Sequence, residues 1–275
     1  QLNVAGTLNN RGLIDGADTR IQANTVNNLG TGRIYGDRVA IAAGTLTNQE
    51  ETLLGVTQAA TIAGRERVDI GVQALTNREN ALIYSGGDMA LGGTLDASWR
   101  ATGSAQLLNN NSATIEAAQS LSIQASNIRN TNEHFATQIQ QISQTPIAQY
   151  QHAPGDVISA RDNSTRFDPA DVSITNCEAL CMTTVAGTSD SFVKYDYTRT
   201  IDESVITQSA PGQILAGGGI SLVATHVLND KSQIVAGSAL NVQADTLNNV
   251  QGDGTRITTD AGTVTSYWRR RRSGR

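Results

Sequence analysis

Aromatic and charged residues are both scarce in this sequence of 275 residues, at 4% and 16% of the chain. A chain with so few rings fills its core with Ala, Val, Ile and Leu, and its abundant Thr, Asn and Gly favour strands and turns. Lysine is almost absent, with 2 Lys against 18 Arg, and only 4 prolines occur against 26 glycines. The composition therefore predicts an elongated all-β protein and is unlike that of most enzymes.

Positive charge is also in deficit, since the formal net charge is -5 and the isoelectric point is near 5.2. An acidic surface repels phosphate, so the sequence predicts no nucleic-acid partner. The exception is the run Arg269 to Arg272, which follows Tyr267 and Trp268. Aromatic and arginine side chains together suit an anionic partner, but we expect this segment to belong to a coil that is completed beyond residue 275. No apolar run reaches the roughly 18 residues of a membrane-spanning helix. The first residues lack the basic and apolar regions of a signal peptide, so we expect the sequence to be a fragment of a longer protein.

An apolar anchor followed by Asn-Asn or a close variant recurs along the chain, and several copies are 18 to 20 residues apart. The anchors are Leu8-Asn9-Asn10, Val26-Asn27-Asn28, Leu46-Thr47-Asn48, Leu75-Thr76-Asn77, Leu108-Asn109-Asn110, Ile128-Arg129-Asn130, Leu228-Asn229-Asp230 and Leu247-Asn248-Asn249. A second apolar centre follows most anchors, at Ile14, Ile34, Ile83, Ile115 and Ile234. Alternating triplets come next, namely Val39-Ala40-Ile41, Val68-Asp69-Ile70, Met89-Ala90-Leu91, Leu121-Ser122-Ile123, Ile220-Ser221-Leu222 and Leu240-Asn241-Val242.

These repeats predict a right-handed parallel β-helix. A repeat of about 20 residues cannot bury its apolar face alone, so neighbouring repeats stack and equivalent strands pair in parallel at ~4.8 Å. The period-2 triplets are typical of half-buried strands. Asparagine at a fixed turn position tolerates left-handed backbone angles, and stacked amides hydrogen-bond from coil to coil. The Asn set is therefore interpreted as structural.

Interruptions of the repeat divide the chain into three parts: repeats at 1–130, a non-repeat insertion at 131–210, and further repeats at 211–275 with a truncated C-terminal end. Smaller loops are expected near 49–61 and 96–106. The insertion holds ten acidic and four basic residues and six of the eleven aromatics. Its polar stretch 136–151 leaves partial disorder open.

The sequence predicts no catalytic residue, metal or cofactor. Cys177 and Cys181 lack the other ligands that zinc requires, so a local disulfide is expected. The histidines His134, His152 and His226 show no triad or metal spacing. A polysaccharide-active β-helix remains an alternative, but its carboxylates fall at non-equivalent places in successive coils.

Aromatic side chains of the insertion are the candidate binding residues, because insertions in a solenoid often project from its binding face and aromatics are favoured interface anchors. The candidates are Phe135, Tyr150, Phe167, Phe192, Tyr195 and Tyr197. The alternative is that these rings fill the core of a small subdomain.

A family resemblance rests on two motifs that occur together in the repeats. These are the Leu-Asn-Asn or Leu-Thr-Asn turns and the Ile-x-x-Gly segments that follow them, as in Leu75-Thr76-Asn77 with 83–87. The chain resembles the haemagglutinin repeats of filamentous haemagglutinins and of the CdiA-type contact-dependent growth inhibition exoproteins. The resemblance implies a β-helical stalk that an outer-membrane transporter secretes to the bacterial cell surface by two-partner secretion. In the growth-inhibition branch it also implies that a region interrupting the repeats recognises an outer-membrane receptor. No segment here resembles a toxin domain.

The leading hypothesis is a cell-surface recognition module that binds an outer-membrane protein of a neighbouring bacterium and supports toxin delivery. The first alternative is a stalk segment of a filamentous adhesin without receptor contact of its own, and the second is the polysaccharide-active enzyme. A small-molecule substrate is not expected.

Overall fold

The computed structural model describes residues 1–162 and 165–269, nearly all of which lie in strands and their turns. The strands, in chain order, are β1 (Leu2–Asn10), β2 (Leu13–Leu29), β3 (Arg33–Gln49), β4 (Glu51–Leu53), β5 (Val56–Gln58), β6 (Thr61–Arg78), β7 (Leu82–Ser85), β8 (Asp88–Gly92), β9 (Thr94–Leu95), β10 (Ala101–Thr102), β11 (Ala105–Asn111), β12 (Thr114–Ala117), β13 (Leu121–Thr131), β14 (Ala136–His152), β15 (Ser173–Asn176), β16 (Leu180–Thr184), β17 (Gly187–Ser189), β18 (Ser191–Gln208), β19 (Gln213–Ala216), β20 (Ile220–Asp230), β21 (Gln233–Ala236), β22 (Leu240–Val250) and β23 (Arg256–Trp268). The helical segments are α1 (Val157–Arg161) and a 3₁₀ turn (Pro169–Asp171), and no helix in the described ranges is long and apolar enough to cross a membrane.

The first compact unit comprises residues 1–136 and 206–253 and is a parallel β-helix, which confirms the predicted fold class. Its coils are three-sided: β2 pairs in parallel with β3 over three stretches, 13–16 with 33–36, 18–23 with 38–43 and 25–29 with 45–49. Thirteen strands join in this one parallel sheet. Each side of a coil therefore stacks on the equivalent side of the next coil.

Apolar columns fill the interior of the coils. The isoleucine column runs through Ile14, Ile34, Ile62, Ile83, Ile115, Ile214 and Ile234. The six alternating triplets read from the sequence also lie in register. Most members of these columns are fully buried in one continuous core, so equivalent residues of successive coils pack against each other.

A ladder of asparagines accompanies the anchor column. Its rungs are Asn10, Asn28, Asn48, Asn77, Asn110, Asn130, Asn229 and Asn249, and each amide Nδ2 donates to the Oδ1 of the next rung at 2.8 to 2.9 Å. The rungs lie within strands, so the predicted left-handed conformation is wrong for them. The left-handed residue comes two positions later, at Gly30, Glu79, Ser112 and Lys231, where the chain turns the corner of the coil.

The seventh anchor differs from its sequence assignment by one residue. Ile128 pairs with Val227, and Asn130 pairs with Asn229, so the anchor phrase begins at Val227 rather than at Leu228. Val227 is buried, whereas Leu228 is half-buried in an outward position. Two adjacent apolar residues precede Asn229, and only the inward direction of the side chain distinguishes them.

Two short hairpins form the modest interruptions. The strands β4 and β5 form an antiparallel hairpin within the predicted loop 49–61. The strands β9 and β10 form a second one at 94–102, slightly before the predicted 96–106. Both leave the coil and return to it, so the columns continue on either side.

The second compact unit comprises residues 137–205 and 254–275, of which 163, 164 and 270–275 lie outside the described residues. Its main sheet has the order β14-β18-β23, and β18 pairs antiparallel with β23. We expected repeats up to residue 275, but β23 belongs to this sheet instead. We also left 136–151 open to disorder, whereas β14 is a continuous edge strand that accommodates Pro146 because an edge strand tolerates a missing N–H.

Candidate functional site

The antiparallel sheet of the second unit presents two faces with different chemistry. Residues paired across β18 and β23 share a face, so Phe192 and Tyr267 lie on one side, while Tyr195 and its partner Val264 lie on the other. The first face carries an aromatic core. The second face carries the partly accessible Tyr195 and Tyr197, together with the buried Val193.

Phe192 anchors the core of this unit. Its ring stacks on Tyr267 with the centroids 4.7 Å apart and contacts Tyr150 at 6.4 Å. Only 1% of Phe192 is exposed, so a partner cannot reach it. The sequence assignment of Phe192 as a binding residue is therefore wrong: a ring at the centre of a sheet face is removed from water by the unit itself.

Tyr195 and Tyr197 lie on the opposite face, half-buried, with their hydroxyl groups fixed by β14. Tyr195 Oη donates to Gln151 Oε1 at 2.7 Å, and Tyr197 Oη donates to Gln149 Oε1 at 3.0 Å. The guanidinium of Arg166 lies 3.9 Å from the centre of the Tyr195 ring, a cation–π distance. The two rings are consequently held in defined orientations.

Gly262 and a surface depression both adjoin Tyr197. Gly262 pairs with Tyr197 across the strands, and a Cβ atom at Gly262 would approach the Tyr197 Cα to 2.3 Å. The neighbouring depression has a volume of about 410 Å³ and is lined by Pro146, Ile147 and Thr263 among others. The glycine therefore lets β23 approach the backbone at Tyr197 closely.

An ion pair closes the end of the tyrosine face. Arg199 binds both carboxylate oxygens of Asp260 at 2.7 and 2.8 Å. The hydrogen bonds from Arg199 hold the pKa of Asp260 below its usual range, and the same bonds raise the pKa of Arg199. Both groups stay charged at neutral pH, and the bidentate geometry fixes the strand pair. We call the surface formed by Tyr195, Tyr197, Arg199, Val264 and Trp268 the tyrosine face.

Trp268 belongs to this face because it pairs with Ser191, two positions before Val193 and four before Tyr195. It is 70% exposed, and Val264 is 63% exposed. We expected Trp268 to lie in a coil, so sequence reasoning missed it as a surface residue. Its position next to the arginine run was the available signal.

The cysteines Cys177 and Cys181 form a disulfide in the β15–β16 hairpin. Cys181 is buried, and Glu178 occupies the turn with a φ of 76°. Arg269 Nη2 donates to Glu178 Oε2 at 2.6 Å. The hairpin tip is thus tied both by a covalent bond and by an ion pair.

Buried beside this hairpin is His152, which is fully inaccessible. Its Nε2 lies 3.0 Å from Thr184 Oγ1 and 3.7 Å from Asp162 Oδ2. Burial lowers the pKa of His152 despite the opposing field of Asp162 and Asp156. The ring packs edge-on against the half-buried Phe167 at 6.3 Å, so His152 is part of the folded core of this unit.

Phe135 and Tyr150, the two remaining sequence candidates, lie away from the face formed by Tyr195 and Tyr197 in sheet register. Phe135 lies in the first unit, where its ring contacts Gly252 and has Lys231 5.7 Å from its centre. Tyr150 and Phe167 form a two-way backbone bridge, at 2.9 and 2.7 Å, and are each half-buried. Of the six, only Tyr195 and Tyr197 share the tyrosine face.

Ionisable groups do not converge on a metal-binding arrangement in the described ranges: no set of three or more His, Cys, Asp or Glu side chains is placed to hold an ion. His134 is paired with Glu79 at 2.7 Å, and this hydrogen bond raises the pKa of His134. His226 contacts Thr246 at 2.8 Å between adjacent coils. Each histidine has a local structural contact.

The parallel coils, the repeated columns and the amide ladder define a β-helical repeat protein. The family model of the haemagglutinin repeat matches residues 1–50, 41–163 and 184–266. The chain therefore belongs to the haemagglutinin-repeat family, whose members are typically large, secreted, surface-associated adhesins. No curated protein and no solved structure matches the chain.

Proposed function

We propose that the second unit recognises an outer-membrane protein on a neighbouring bacterium and that the coils carry it. The observation behind this proposal is that the coil stack closes across the insertion: Asn130 Nδ2 donates to Asn229 Oδ1 at 2.8 Å although the two residues are 99 positions apart. The ladder has the same bond length on both sides of this step. A segment that the stack does not need is free to serve binding.

The chemistry of the tyrosine face supports a protein partner. Tyr, Trp and Arg dominate the energetic centres of protein interfaces because they combine large contact area with polar groups. Tyr195 and Tyr197 are held in place by Gln151 and Gln149 before any partner arrives, and such preorganisation lowers the entropic cost of binding. Trp268 adds an exposed ring on the same face.

The proposal includes a place in a larger system. We assign the chain to a contact-dependent growth-inhibition exoprotein that reaches the cell surface through an outer-membrane transporter of two-partner secretion, and that delivers a toxin carried elsewhere. Recognition is noncovalent and needs no cofactor, nucleic acid or small-molecule substrate. The module itself is not an enzyme.

Excision of the second unit tests the proposal. Thr207 Oγ1 donates to the Ala136 carbonyl at 3.3 Å, so a short glycine linker can join Ala136 to Ile206 in a chain that ends at Asp253. The intact chain should bind intact bacteria saturably, and crosslinking should capture an outer-membrane protein. The shortened chain should bind none. Equal binding by both chains would make this segment a stalk.

Point variants localise the binding within the unit. The double variant Tyr195→Ser with Tyr197→Ser should weaken cell binding at least tenfold, since one interface hot spot contributes about 2 kcal/mol or more. Tyr84→Ser is the matched control, because Tyr84 is a half-buried tyrosine on the coils. Unchanged binding by the double variant would exclude the tyrosine face as the contact.

A further inference from the structure

Four arginines surround a small pocket on the coils of the first unit, which shares no residue with the tyrosine face. The pocket has a volume of about 50 Å³, and its charged lining consists of Arg20, Arg38, Arg67, Arg100, Asp18 and Asp69. The guanidinium groups outnumber the carboxylates by four to two in a chain whose net charge is -5. The lining is thus rich in guanidinium groups, two of which also pair with carboxylates outside it, Arg38 with Glu66 and Arg67 with Asp88.

Asp69 is fully engaged by its neighbours. Only 4% of it is exposed, and its carboxylate accepts Arg67 Nε at 2.7 Å, Arg67 Nη2 at 3.2 Å, Arg100 Nη1 at 3.4 Å and the amide of Ala101 at 3.1 Å. Two guanidinium groups therefore share one carboxylate. Arg67 also reaches Asp88 Oδ2 at 3.4 Å, and the cluster attaches the β9–β10 hairpin to the coils.

Arg20 and Arg38 remain available for a ligand. In the described part of the chain no carboxylate forms an ion pair with Arg20, whose guanidinium lies 5.5 Å from the centre of the Trp99 ring. Arg38 has a single long contact of 3.4 Å to Glu66, and both side chains are more than 60% exposed. Exposed pairs of this kind contribute little free energy, so an incoming anion can replace Glu66.

Trp99 adopts a conformation that is rare for a bulky residue. Its φ is 61°, and a left-handed backbone at a large side chain costs free energy and is often found at functional sites. Asp96 maintains the conformation: its Oδ1 accepts the amides of Ser98 and Arg100 at 2.8 and 2.9 Å. The hairpin thus holds the indole at the wall of the pocket.

We propose that this pocket binds an acidic sugar, with its carboxylate between Arg20 and Arg38 and one face of its ring against Trp99. Arginine forms bidentate bonds to carboxylates, and the C–H groups of a pyranose face pack on an aromatic ring as apolar surface. The pocket accommodates the carboxylate, and the sugar ring lies at its mouth. Asp18, exposed on the rim, accepts hydrogen bonds from sugar hydroxyls.

Fluorescence of Trp99 tests the proposal directly. The chain has two tryptophans, so Trp268→Phe makes Trp99 the only reporter while leaving the coils unchanged. Titration with D-glucuronate should change the emission saturably. Arg20→Ala and Arg38→Ala, each in this background, should weaken binding by about tenfold or more, as expected for a lost charge-assisted bond.

Matched controls separate the sugar from a bare anion. Arg65→Ala removes the same charge from the same coils, but Arg65 is bound to Asp15 and Asp37 outside the pocket, so glucuronate affinity should be retained. D-glucose and acetate should each bind more weakly than glucuronate. Equal binding of acetate, equal binding of glucose, no binding of glucuronate, or an equal loss in Arg65→Ala would each overturn the proposal. Cell binding by the second unit is a separate readout.

Discussion

The two units of this chain are stabilised in opposite ways. In the first unit the same interaction recurs in every coil, as in the amide bonds that Asn48, Asn77 and Asn110 make with their neighbours. In the second unit each stabilising feature occurs once: the Phe192 stack, the buried His152 and the disulfide Cys177–Cys181. In the coils every inward residue must match the equivalent residue of the next coil, so these positions can vary little. The core of the second unit is not repeated, so its surface is not bound to a repeating pattern.

This contrast predicts how damage spreads. Each coil of a solenoid contacts only its neighbours, so stability is a sum of local and interface terms, and a defect in one rung weakens the coils on both sides. A unique core is lost as a whole when its central residue is removed. Hydrogen exchange measured by mass spectrometry on the intact chain follows both units at once, through peptides from β13 and β18.

Removal of the central ring should have the largest effect. Phe192→Ala deletes a side chain that is 1% exposed, and such truncations cost about 3–5 kcal/mol. Peptides from β18 should lose protection, while those from β13 keep it. Equal loss in both peptides would show that the two units unfold together. Trp268→Ala, which removes an exposed ring, is the control and should leave both unchanged.

The amide ladder should be the next most sensitive feature. Asn110 is fully buried and donates to Asn130 Oδ1 at 2.8 Å and to the carbonyls of Ala113 and Gln213 at 2.9 and 3.0 Å. Asn110→Ala leaves the buried Asn130 Oδ1 without its donor and removes two further side-chain hydrogen bonds, although the Ala113 carbonyl keeps the amide of Gln213, so the cost should be about 3 kcal/mol. Protection should fall in the coils and persist in β18.

An exposed amide pair provides the matched control for the ladder. Asn27 Nδ2 donates to Asn9 Oδ1, also at 2.8 Å, but on the outside of the coils. Asn27→Ala should cost less than about 0.5 kcal/mol because water replaces the lost partner. If chemical denaturation gave the same loss for both variants, burial would not be the source of the ladder's contribution.

Loss of the disulfide should have an intermediate effect confined to the second unit. Closing so short a loop between Cys177 and Cys181 contributes about 2 kcal/mol in the chain-entropy model. The variant with both cysteines changed to Ala, and the reduced wild-type chain, should show weaker protection of β16 and β18. If both samples kept the same protection of β16 and β18 as the oxidised wild-type chain, the hairpin tip would be fixed by other contacts, such as Arg269 with Glu178.

Much of the first unit could be predicted from the sequence because its signal is repeated. The columns through Ile34 and Ile83 give the period, and stacking follows from the need to bury them. Ile62 belongs to the same column, although the β4–β5 hairpin displaces it from the expected spacing. The Val227 anchor was misassigned because inward and outward apolar residues look alike at a period of two.

The second unit was harder to predict because its signal occurs once. The strand β23 alternates polar and apolar residues as a coil strand does, and the pattern does not state which strand it pairs with. Counting aromatics located the unit but did not distinguish buried Phe192 from half-buried Tyr195. Sheet register makes that distinction, and register depends on contacts between distant segments.

Two histidines provide the smallest predicted effect. They test the difference between the two units because their contributions to stability change with pH in opposite directions. In the first unit the hydrogen bond to Glu79 raises the pKa of His134. Its stabilising contribution is therefore complete below the unfolded value of about 6.5 and is lost as the pH rises through the higher folded value. In the second unit burial lowers the pKa of His152, so its neutral form is favoured by folding.

The contribution of neutral His152 to the stability of the second unit should consequently be complete above a pH of about 6.5 and be lost as the pH falls from there through the lower folded pKa of His152. Between about pH 7.5 and 5.5, protection in β18, corrected for intrinsic exchange, should decrease relative to protection in β13. His152→Gln should abolish the decrease in β18, and His134→Gln should remove the opposing gain in β13. A decrease of the same size in His152→Gln would assign the pH response to the carboxylates around it, Asp156 and Asp162, rather than to the buried ring.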